Sequence, residues 1–69
     1  MAELPIAPVR RIIRNQSNML VSEDAGKVLR DMLDAKGEEI SALAIRFARN
    51  AGRKTVFGQD IEEAVRAIM

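Results

Sequence analysis

Between Ala25 and Ala48 the apolar positions fall at threes and fours: Ala25, Val28, Leu29, Met32, Leu33, Ile40, Ala44, Phe47 and Ala48, with no proline among them. Both ends of this stretch are signed. Ser22 suits an N-cap, Glu23 and Asp24 suit the positive end of a helix dipole, and Arg46 and Arg49 suit its negative end. The pattern predicts one long amphipathic helix from the Ser22 cap to Asn50. At 1.5 Å per residue such a helix is about 42 Å long, whereas a compact chain of this size is roughly 30 Å across. The rest of the chain is too short to cover an apolar stripe of that length. A second copy crossing over it is the simplest cover, so homodimerisation is the first inference. A competing reading breaks the helix at Ala35-Lys36-Gly37, with the glycine as a C′ cap, and gives a monomeric four-helix bundle.

The flanks read as shorter elements. Residues 1–7 form a tail that packs Leu4 or Ile6 onto the body. Pro8 sits in the first turn of a helix running through Asn15, with Val9, Ile12 and Ile13 inward and Arg10, Arg11 and Arg14 outward. Asn15-Gln16-Ser17-Asn18 is rich in turn formers and reads as a loop; Met19 to Val21 then suits a short extended piece before Ser22. Beyond Asn50, Gly52 suits a left-handed helix end and Thr55-Val56-Phe57 a matching extended piece. Gly58 to Met69 reads as a last helix with Ile61, Ala64, Val65 and Ile68 on one face. The architecture is all-α: short helix, long central helix, short helix, as one domain over residues 1–69.

Composition narrows the chemistry. A 69-residue chain is near the size at which one core supplies only about 3 to 5 kcal/mol without a staple or partner. The chain contains neither cysteine nor histidine, so it offers no disulfide, no usual zinc or haem ligand set, and no thiol or imidazole for catalysis. No metal, no cofactor and no enzymatic activity are expected. Asp31, Asp34, Glu38 and Glu39 fall on a helix face with no positioned nucleophile or base beside them, and read as solvated charge. The opening MAELPIAPV has no basic region leading into a long apolar run, and nothing approaches the roughly 20 apolar residues of a membrane span. A cytoplasmic protein is the expectation, with no membrane and no small-molecule substrate as partner.

The net charge of +1 hides a strong pattern. Residues 1–22 carry +2, residues 23–45 carry −3, residues 46–58 carry +4 and residues 59–69 carry −2. If two long helices cross antiparallel, the loop before the helix in one chain lies beside the loop after it in the other. Arg11, Arg14 and Ser22 of one protomer then pool with Arg53, Lys54 and Thr55 of the other. That basic patch occurs twice, at a separation near the long helix's ~40 Å, comparable to one turn of DNA at about 34 Å. Extended pieces from adjoining loops can pair and offer N–H groups to phosphates, and helix N-termini add their dipoles. Phe47 and Phe57 are the only aromatic residues, too few for a stacking platform, which favours duplex over single strands.

At these residues the chain resembles the archaeal histones over essentially its whole length. The carriers are Glu3-Leu-Pro-Ile-Ala-Pro-Val9 with Arg11-Ile-Ile13, then Val21-Ser-Glu-Asp-Ala25. The third is Ala51-Gly-Arg-Lys-Thr-Val56, followed by Asp60-Ile-Glu62 and Ala64-Val-Arg66. Each is weak alone; in order and correctly spaced they are specific. The resemblance implies the histone fold, a handshake homodimer, and bending and compaction of chromosomal duplex DNA without base reading. For the eukaryotic relatives the mechanism is arginine entering inward-facing minor grooves. Carried over, Arg11 matches the minor-groove arginine, Lys54 and Thr55 the second-loop phosphate contacts, and Ser22 the first-loop contact. Arg14, one turn from Arg11, is a further phosphate candidate. Arg53 and Asp60 match an intrachain ion pair, and Phe47, Asn50, Asp60 and Glu63 the contact joining one dimer to the next. Bland roles stand beside these: Arg11 and Arg14 as solvated helix charges, Ser22 purely as a cap.

The chain also departs from that pattern. Leu20 stands where the family usually has a basic residue, and Arg10 where it often has glycine, which suggests that Arg10 partly replaces the lost charge from a different direction. Phe57 and Gly58 replace lysine and alanine, and the sequence ends at Met69 without a basic tail. Each missing phosphate contact lowers the salt slope of binding by about 0.9. Asn50 and Glu63 replace histidine and leucine, and a two-fold contact would set Glu63 near another acid, which disfavours stacking into filaments unless Arg46, Arg49 or Arg66 pairs with it. Leu43 replaces a residue that is often charged. Two functions follow: a chromosome-associated DNA-packaging homodimer, or a histone-fold dimerisation module or filament-capping variant, alone or as a heterodimer with another histone, with weakened DNA binding and stacking.

Overall fold

The computed structural model describes residues 3–68, which form three helices: α1 (Ile6–Arg14), α2 (Glu23–Asn50) and α3 (Gly58–Ile68). Helix α2 has 28 residues and is helical through Ala35, Lys36 and Gly37, which removes the four-helix bundle. Among the described residues Gly52, with φ +74°, is the one that takes the left-handed conformation. The chain divides into two compact units, one ending at Ala35 and the other starting at Lys36.

In the first unit α1 begins two residues before Pro8. Pro5, extended at φ −70° and ψ 151°, is its N-cap, and Pro8 falls at the third helical position, where a missing N–H costs nothing because the first four have no intrahelical partner. Val9 is buried and Ile13 half-buried, while Ile12 stays 51% exposed. The N-terminal segment is tied down by the Glu3 N–H, which donates to the Asp34 carboxylate at 2.8 Å. Met1 and Ala2, part of the expected tail, lie outside the described residues, as does Met69 at the end of the expected last helix.

The start of α2 is built as its sequence suggests: the Ala25 N–H donates to Ser22 Oγ at 3.0 Å, and the Gly26 N–H to the Ser22 carbonyl at 3.3 Å. Its apolar stripe is another matter. Val28, Met32 and Leu33 are exposed on the single chain.

The second unit packs on small residues. Ala44, Ala48 and Ala64 are buried, and alanines at these positions let α3 lie close to the last turns of α2. Helix α2 ends in a Schellman motif: the Arg53 N–H donates to the Ala48 carbonyl and the Gly52 N–H to the Arg49 carbonyl, both at 2.9 Å. Among the described residues no strand is assigned; Met19 to Val21 and Val56-Phe57 carry neither helix nor turn.

Candidate nucleic-acid interface

The second loop, between α2 and α3, is organised by one buried carboxylate. Asp60, 1% exposed, stands at the third position of α3. Arg53 reaches it with two parallel bonds, Nη1 to Oδ2 at 2.8 Å and Nη2 to Oδ1 at 2.7 Å, the fork geometry that only arginine supplies. Asp60 Oδ2 also accepts the Phe57 N–H at 2.8 Å, so a helix with no capping side chain at its start is capped from within. Arg53 Nη1 donates further to the Thr55 carbonyl at 2.9 Å, and its guanidinium lies 4.7 Å over the Phe57 ring. One arginine thus fixes the backbone at Thr55, the ring of Phe57 and the entry to α3.

These bonds favour the charged carboxylate. The Arg53 guanidinium, and next the Phe57 N–H, hold the Asp60 carboxyl at about 2, below its ordinary 3.8, although burial pushes the other way. Arg53 is raised for the reciprocal reason, its hydrogen bond to Asp60. Asp60 is thus engaged within its own unit by three bonds. Of the other residues named for that contact, Phe47 is half-buried, and Asn50 and Glu63 are exposed.

Around this fixed frame Lys54 and Thr55 are exposed. Lys54 makes no ion pair among the described residues. It lines a cleft of about 290 Å³ with Ile45, Ala48, Arg49, Arg53 and Val56. The cleft therefore has an apolar floor and three cations, and Arg49 is a member that the pooled basic patch expected from the sequence does not include.

In the first unit, Arg11 and Arg14 are exposed on the last turn of α1, and neither forms an ion pair among the described residues. That site suits a cation by the helix dipole alone. Ser22 spends its hydroxyl oxygen on the Ala25 N–H and keeps its own O–H to donate. Leu20 is 98% exposed and Met19 71%.

Arg10 is where the outward-facing expectation fails. It is half-buried, and its Nη2 donates to the Val21 carbonyl at 2.8 Å, while its stem runs over Gly26. The signal in the sequence is Gly26 itself: a glycine inside a helix costs about 1 kcal/mol against alanine and marks a close approach. The charge of Arg10 therefore does not stand in for the cation missing at Leu20.

No helix among the described residues is long and apolar enough to cross a membrane, and no group of His, Cys, Asp or Glu among them has the geometry of a metal site.

Residues 2–65 match the family described as histone-like transcription factor (CBF/NF-Y) and archaeal histone. The chain is 51% identical over 67 residues to the A subunit of archaeal histone HAN1 from Thermococcus zilligii, covering 97% of this chain and all of that one. It is 41% identical over 66 residues to probable archaeal histone 3 of Methanocaldococcus jannaschii, covering 96% and 98% of the two. Three helices in short, long, short order, a stapled second loop and this similarity over nearly the full length together make the chain a member of the archaeal histone family, a chromosome-associated DNA-binding protein of the histone fold.

Proposed function

We propose that two copies of this chain cross their α2 helices in a handshake, forming one histone-fold domain from residues 1–69 of each, and that the dimer binds, bends and compacts duplex DNA without reading its sequence. The observation that carries the dimer is the core. Among the described residues the buried apolar side chains are Val9 and three alanines, while Val28, Met32, Leu33, Ile45 and Ile61 remain between 38% and 65% exposed. A valine and three alanines are too little for a stable fold, so a partner must cover the rest. A second copy supplies the same apolar stripe with two-fold self-complementarity.

The DNA contacts are assigned to Arg11 and Arg14 in the minor groove and on phosphate, to Ser22 through its hydroxyl, and to Lys54 and Thr55 on the second loop. Their support is that the three basic residues are exposed and unpaired within the described chain, while Thr55 is held by Arg53. Binding is electrostatic, and any sequence preference comes from DNA flexibility. The role is architectural and involves no catalysis.

A weakened variant of this function is favoured by Leu20, which puts an apolar side chain into the basic loop, and by exposed Glu63, which places an acid in the expected dimer–dimer contact. Such a protein binds DNA as a single dimer, or ends a stack of others.

Fluorescence anisotropy on a labelled duplex of ~60 base pairs, titrated at several salt concentrations, tests the proposal. The expected log–log slope is steeper than about −3, with little difference between random sequences. No binding at low salt by a folded dimer would sink the DNA reading. Sedimentation equilibrium fixes the dimer, and a monomer at micromolar concentration would remove it.

A further inference from the structure

The entry to α2 is held by a residue that neither the fold pattern nor the DNA contacts account for. We infer that Arg10 is a positioning residue for the first-loop DNA contacts, a strap from α1 to the backbone before Ser22, and that Gly26 is glycine because the strap occupies its side-chain space.

Three observations converge on it. The Val21 carbonyl precedes the N-cap, so no helical N–H reaches it; the first intrahelical bond runs from Gly26 to Ser22. Arg10 Nη2 satisfies that carbonyl at 2.8 Å, across eleven residues of sequence. A Cβ placed on Gly26 would collide with Arg10 Cγ and lie 3.0 Å from Arg10 Cδ and 3.1 Å from Ile6 Cγ2. The arginine stem and Ile6 therefore fill the volume that any other residue at 26 would need. Finally, Arg10 Nε is buried with no hydrogen-bond partner. A buried donor left unpaired is costly, and it is tolerated here because the other end of the same guanidinium ties down the loop.

The consequence concerns DNA, and it rests on the function proposed above. Arg11 and Arg14 stand on α1, and Ser22 caps α2. For these groups to meet the same stretch of phosphates their spacing must be fixed before binding. The Arg10 strap joins the two backbones between them, so it acts on affinity without touching a phosphate.

The test combines two readouts on the intact dimer. In the salt titration, Arg10→Met keeps the stem over Gly26 and removes the guanidinium. It should weaken duplex binding about tenfold, the scale of one hydrogen bond to a charged group, with the salt slope unchanged. Arg10→Lys, which can still donate to Val21, should recover most of the affinity. A slope smaller by about 0.9 in Arg10→Met would make Arg10 a phosphate contact, and unchanged affinity would make it irrelevant to DNA; either overturns the inference. In thermal melts, Gly26→Ala should lower the melting temperature of the wild-type chain by more than that of an Arg10→Ala background, where Ile6 alone still crowds the added carbon and alanine's helix preference offsets it. An equal change in both backgrounds, or a rise in the wild type, overturns the strap. If the wild type does not bind duplex at all, the proposed function fails, while the melts still decide whether the strap exists.

Discussion

The two loops that flank α2 solve one problem in opposite ways. The second is held by charge: Arg53 and Asp60 form a bidentate pair with the acid almost wholly buried, and the same guanidinium holds the Thr55 carbonyl. The first is held by neutral acceptors, the Val21 carbonyl bonded by Arg10, the Ser22 cap and Ser17 Oγ bonded by the Met19 N–H, and it leaves Met19 and Leu20 in solvent. A loop that carries its own buried ion pair is finished within one unit. The first loop has no such pair, and its two apolar side chains are barer than Val56 and Phe57 of the second. The second loop is thus fixed by a charge pair within its own unit, whereas the first is fixed by bonds to neutral acceptors.

The largest effect expected from breaking this contrast is at Asp60. Asp60→Ala leaves Arg53 without its acid and α3 without its cap, and should lower the melting temperature by about 10 °C or more, because removing one partner of a buried pair strands the other. Next comes Met32→Asp in the first unit. On a lone monomer a 65% exposed residue tolerates this change, but a dimer that buries it should dissociate at least about tenfold more readily, read by sedimentation.

Acid offers a subtler probe of the second loop. With the folded Asp60 at about 2 and its ordinary value at 3.8, the folded state binds this proton less tightly than the unfolded one. The pair's contribution is complete above about pH 4 and disappears as pH falls through about 2. Stability curves of wild type and Asp60→Asn should therefore converge over that interval and run parallel above it.

Gly52→Ala should cost about 1 kcal/mol in a denaturant titration, since φ +74° is open to glycine and strained for alanine. The smallest change in stability, within about 0.5 kcal/mol, is expected for Leu20→Arg. Its effect belongs in the salt titration, where a restored phosphate contact steepens the slope by about 0.9.

Much of the fold is legible in one dimension. The apolar period of the central stretch, the serine before Glu23, the glycine after Asn50 and the prolines before Val9 each act through bonds within a few residues, and local rules place them. The first helix starts two residues earlier than Pro8 implies, because Pro5 makes the cap and Pro8 merely fits the opening turn. The Arg53–Asp60 pair is reached only through resemblance to a family. Seven residues separate the two, and nothing in their local sequence says that the loop folds back to bring them within 2.7 Å.

What the sequence determined by itself, then, is the periodic part: three helices, the caps of the central one, the absence of thiol and imidazole chemistry, and an apolar stripe longer than one small chain can bury. What only tertiary structure decided is which charges are available. Arg10, Arg11 and Arg14 look alike on a helical wheel, yet Arg10 turns inward over Gly26 while the other two stay exposed. The physical reason is steric: the hole left by a missing Cβ on another helix is a property of two segments in contact, and it appears in neither segment read alone.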